Sequence, residues 1–154
     1  MDKILQHLKD VQVNFETIYA SSSQGMESLS PTDMITLFRL GNYASSDMRN
    51  AIRDYSGVKP TEAEAQEALS LLRRIAELNV QQMKVSRDDK PVFERMHAAN
   101  LVRKGVADQD AAREFWKVMA EKMPGEGLKG EVQSLDKQVQ SAVAETLRLY
   151  HCEV

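Results

Sequence analysis

Glu94 and His97 stand three residues apart in a stretch of helical periodicity. At that spacing a helix offers two metal ligands on one face, as in dinuclear carboxylate bundles. Such a centre needs a second pair and a glutamate from each of two further helices. His7 follows Ile4 and Leu5, and His151 follows Arg148, so neither completes it. His97 is expected to be half-buried beside a solvated Glu94, and a metal-binding bundle ranks behind two other readings. His151 and Cys152 adjoin, but no other cysteine exists to build a zinc site with them. No metal ligand and no cofactor are assigned.

Nucleophilic chemistry finds equally little. Cys152 is the third-last residue of the sequence, where a pre-organised thiolate and an oriented base are hard to arrange. Ser21, Ser22 and Ser23 read as a helix terminator, and no serine sits in a Gly-x-Ser-x-Gly turn. The glycines of 124–130 precede a helix, yet no strand leads into them and Glu126 stands where a phosphate would approach. Glu62, Glu64 and Glu67, like Asp108 and Asp110, fall in the first turns of predicted helices, where acids favour the helix electrostatically. No catalytic residue is assigned, and the protein is expected not to be an enzyme.

Charge is uneven. The net charge is −3, too small to attract a phosphate polymer globally. Within 84–104 the bases Lys84, Arg87, Lys90, Arg95, Arg103 and Lys104 outnumber Asp88, Asp89 and Glu94. A nucleic-acid-associated regulator using these six cations is therefore the second reading, weakened by the interspersed acids. A helix-turn-helix over 48–78 fails, because its recognition helix would open with three glutamates.

What remains is apolar surface. Eight methionines include several on helical stripes, and Met-rich faces fill cores or make adaptable grooves. Phe115 and Trp116 are consecutive, so on a helix they point about 100° apart. One ring should enter the core and the other should anchor a partner, with Met119 and Met123 beside it.

The elements that must position these residues are all helical. Ile4, Leu8, Val11, Phe15 and Ile18 step along one face of a first helix. Ser30-Pro31-Thr32-Asp33 opens a second, whose stripe runs Met34, Leu37, Phe38, Gly41, Ala44, Met48, Ala51, Ile52 and Tyr55. Gly41-Asn42 leaves open whether it is one helix or two. Thr61-Glu62-Ala63-Glu64 is a capping box for a third helix reaching about Ser86. A fourth is expected from Pro91 to Arg103, closed by Gly105, and a fifth from Asp108 to Met123. The last carries Leu128, Val132, Leu135, Val139, Ala142, Thr146 and Leu149 in strict four-three steps.

At 154 residues, 42% hydrophobic and 28% charged, the chain suits one globular domain over 1–154 with a real core. The expected fold is an all-α, single-domain bundle of five to six helices with short loops. One cysteine, no signal-peptide layout and no apolar run of membrane-spanning length point to the cytoplasm. By exclusion, the expected function is a non-enzymatic protein-protein interaction module: an adaptor, inhibitor, chaperone-like or regulatory protein acting through an exposed helix face. Its partner would be another protein, with a homodimer through the last helix as a further option, nucleic acid disfavoured and no membrane.

Overall fold

Two serine- and threonine-capped starts set the longest helices. Ser30 is extended, and its hydroxyl accepts the Asp33 amide hydrogen at 3.1 Å while the Asp33 carboxylate accepts the Ser30 amide at 2.8 Å. Thr61 and Glu64 repeat the exchange at 3.3 and 2.8 Å. These hydrogen bonds, from each cap's hydroxyl and backbone amide, hold both carboxyls below their ordinary range.

The computed structural model describes residues 1–110 and 112–151, with side chains over 1–108 and 112–150. Its elements are α1 (Asp2–Ser22), a 3₁₀ turn at Met26–Ser28, α2 (Pro31–Asp54), α3 (Glu62–Asp88), α4 (Lys90–Arg95), α5 (Ala99–Asp110), α6 (Arg113–Glu121) and α7 (Glu126–His151). No strand occurs among the described residues, and the all-α bundle expected from periodicity is the fold. Cys152 lies outside the described residues, as does the side chain of Asp110.

One open boundary is decided and others differ from expectation; Asp108, expected to start the fifth helix, lies near the end of α5, and α6 begins at Arg113. Gly41 and Asn42 neither split nor end α2, which is one helix of 24 residues. The expected fourth helix, by contrast, is two. His97 takes a left-handed conformation, φ 54°. The Ala98 amide donates to Phe93 at 2.7 Å and the His97 amide to Glu94 at 3.0 Å, the paired bonds of a Schellman turn. A non-glycine residue thus closes α4, and Gly105, expected to stop the helix, sits inside α5.

The helices bury one large apolar cluster and one small one. The large cluster joins α1, α2, α3, α5, α6 and α7 through residues such as Leu8, Val11, Tyr55, Leu69, Leu72, Ile75, Val106, Trp116 and Val132. The smaller comprises Met26, Met34, Phe93 and Tyr150, with Val85, Val102 and the α4–α5 turn against it. Tyr150 enters this cluster and donates its hydroxyl to the Ser86 carbonyl at 2.6 Å. Leu149, expected on the inner stripe of α7, is exposed instead. The rest of that stripe packs against α3, α5 and α6, so the seam expected to pair two copies is covered within the chain.

Candidate functional site

The two apolar clusters touch through the partly buried Val102. Between them runs a cleft walled by α2, α3 and α5, with Ile18, Met26 and Phe93 also lining it. Its empty space is about 770 Å³ once the open solvent at its mouth is included.

Local sequence explains the gap. On α2, Met34, Leu37, Phe38, Gly41 and Ser45 follow helical spacing and face the cleft. The stripe that should have filled a core carries no side chain at Gly41 and a small one at Ser45. A Cβ added at Gly41 would meet no heavy atom within 4 Å. Across the cleft, Gly105 of α5 faces Phe38, where an added Cβ would lie 3.8 Å from the ring. Met26, Met34 and Met83 line the wall, and their flexible thioethers can adapt to an irregular apolar guest. Polar atoms are few: Asn42, Ser45, Gln82, Ser86 and Asp108.

The residues singled out by sequence lie elsewhere. Phe115 and Trp116 are both 1% exposed, Met119 is 0% and Met123 is 6%. The two rings meet edge to face, with centroids 5.4 Å apart. Both enter the large core because α6 is covered on more than one side, by α2 and α7. None of the four offers a surface to a partner.

The basic residues of 84–104 form no common face. Lys84 pairs with Asp88, Lys90 with Glu94 and Arg95 with Glu27. Arg87 donates to the Thr146 hydroxyl and the Ala142 carbonyl and pairs with Glu145. Lys104 sits 5.8 Å from the Phe38 ring centroid, and Arg103 is exposed. The nucleic-acid reading is corrected accordingly, since these cations spread over three helices and most are matched by acids or carbonyls.

The Glu94–His97 pair is corrected as well. α4 ends before His97, whose left-handed backbone takes it off the helix face that Glu94 occupies. A different histidine gathers carboxylates. His7 lies 3.5 Å from Asp47 and 3.2 Å from Asp54, and one ligand atom each of His7, Asp10 and Asp47 lie within 4.8 Å of one another. Partial burial, followed by the charge of Asp10, raises the Asp47 carboxyl. This group clasps α1 to α2, away from the cleft.

No known family matches the chain, and no curated protein matches it in sequence. Solved structures do share its fold. AFMP4P in complex with palmitic acid superposes with a TM-score of 0.83 at 13% identity, covering 96% of this chain and 97% of that one. Ligand binding domain 1 of the Penicillium marneffei MP1 protein, complexed with arachidonic acids, gives 0.79 at 14% identity over 94% of each chain. Domain 2 of the same protein, also with arachidonic acids, gives 0.84 at 10% identity over 99% of this chain and 94% of that one. The expectation of a protein-binding module with a protein partner is overturned here. Its anchors are core residues, and the domains sharing the fold are complexes with fatty acids. No helix among the described residues is long and apolar enough to cross a membrane.

Proposed function

We propose that this protein binds the hydrocarbon chain of a single-tailed lipid in the cleft between α2, α3 and α5. The observation that carries the reading is the cleft itself, an apolar space left where the two clusters of the bundle fail to close. Fatty-acid complexes of domains with the same fold support it. Methionine-rich walls suit a flexible chain, and burial of methylenes supplies the affinity without a directional contact. The proposed role is binding: among the described residues lining the cleft there is no histidine or cysteine beside Ser45 or Ser86.

Displacement of the neutral fluorophore N-phenyl-1-naphthylamine by a series of saturated lipids tests this. Each buried methylene contributes about 0.8 kcal/mol, so affinity should rise about fourfold per added carbon until the cleft is full. Gly41→Trp, which places a large ring in the open space, should abolish uptake while the helical circular dichroism spectrum is kept. Affinity independent of chain length, or unaffected by Gly41→Trp, would count against the cleft.

A further inference from the structure

Apart from Ser86, the polar side chains described along the cleft gather toward one end. The Met26, Met34 and Phe93 end belongs to the small cluster, together with Ala99 at the start of α5 and Val85 late in α3. Val106 and Met83 belong to the large cluster. α5 therefore runs along the cleft in the same direction as α2, and α3 runs against them. Asn42 and Ser45, further along α2, consequently gather with Gln82 and Asp108 at the opposite end. A single-tailed lipid fits with its tail on the methionines and Phe93 and its head among these four residues.

Their chemistry discriminates between head groups. The Gln82 carbonyl oxygen accepts the Ser22 hydroxyl at 2.8 Å, which orients the amide and leaves its two N–H bonds to donate. The Ser45 hydroxyl and the Asn42 amide can both donate and accept. Asp108 is the one ionisable residue among the described side chains that line the cleft, and it is an acid. The nearest cation on its helix, Lys104, stands one turn earlier with its ammonium over the Phe38 ring. A hydroxyl head could donate to Asp108 and accept from Gln82 or Ser45. A carboxylate head would bring a second negative charge beside Asp108.

Resting on the lipid-binding reading above, we infer that the site selects lipids with an uncharged, hydrogen-bonding head group, an alcohol or a glycerol ester, over free fatty acids, and that Asp108 sets this preference.

The test compares 1-dodecanol with dodecanoate as displacers of N-phenyl-1-naphthylamine from the full chain, at pH 8 and low ionic strength. Dodecanol should bind about 3- to 10-fold more tightly, and added salt should narrow the gap because the repulsion is screened. Dodecanol is also the more apolar ligand, so the decisive arm is the exposed Asp108→Asn. It should strengthen dodecanoate several-fold without strengthening dodecanol, whereas Lys104→Gln should not weaken dodecanoate. A ratio unmoved by Asp108→Asn, or dodecanoate lost in Lys104→Gln, overturns the inference and leaves lipid binding intact. If neither ligand displaces the fluorophore, the lipid reading itself fails and this inference with it.

Discussion

Gly105 on α5 faces the ring of Phe38 on α2 across the narrow part of the cleft, with space for one methyl group between them. Gly105→Ala would place its Cβ at 3.8 Å, ordinary van der Waals contact, in a helix interior. Alanine is favoured there over glycine by about 0.5–1 kcal/mol. The variant should therefore melt higher with lipid uptake retained. Gly105→Phe exceeds that space, so it should lose both stability and uptake. Thermal melting and fluorophore displacement on both variants check the pair of outcomes.

Trp116 supports the core rather than a partner. It is 1% exposed and packed edge to face on Phe115. Trp116→Ala should cost about 3–5 kcal/mol of stability, as expected for deleting a buried aromatic side chain. Chemical denaturation reads this directly. An exposed anchor would have cost almost nothing.

Tyr55 carries a buried hydroxyl with no hydrogen-bond partner. Burial, with a smaller contribution from Glu64, pushes its pKa up to about 12. The folded value exceeds the unfolded value of about 10. Its share of stability is therefore full below pH 10 and is lost as pH rises toward 12. Tyr55→Phe should raise stability near neutrality by about 1 kcal/mol, since an unpaired buried polar group is removed. It should also shallow the loss between pH 10 and 12. Part of that loss should persist, because burial raises the Tyr150 hydroxyl too. Melting temperatures of both proteins at pH 8 and pH 11 separate these effects.

His97 closes α4 in a conformation that suits glycine. Its φ of 54° costs a β-carbon-bearing residue about 1–2 kcal/mol. His97→Gly relieves this but adds freedom to the unfolded chain. The expected net is a gain of up to about 1 kcal/mol. His97→Val, β-branched and unsuited to the left-handed region, should lose stability. Because the turn sets the entry of α5 into the cleft wall, His97→Val should also weaken lipid uptake.

Helix content and most of the core were legible before any coordinates, because both depend on short-range order. Four-three spacing, the boxes at Ser30 and Thr61 and the Pro31 start act within a turn or two of backbone, and each formed as its local chemistry requires. The α4–α5 break escaped because its turn residue is histidine, which carries no glycine signal. The burial of both Phe115 and Trp116 also escaped, since periodicity gives one inner face per helix and α6 is covered by two neighbours.

The cleft belongs wholly to the tertiary structure. On paper, Met34, Leu37, Phe38 and Gly41 form a stripe indistinguishable from core. What empties the space before them is the meeting of Gly41 and Ser45 on α2 with Gly105 on α5, residues some sixty positions apart. A missing side chain on one helix becomes a cavity only when the facing helix does not fill it. Local sequence thus determined which surfaces are apolar, and only the packing of α2, α3 and α5 decided which of them is left open for a guest.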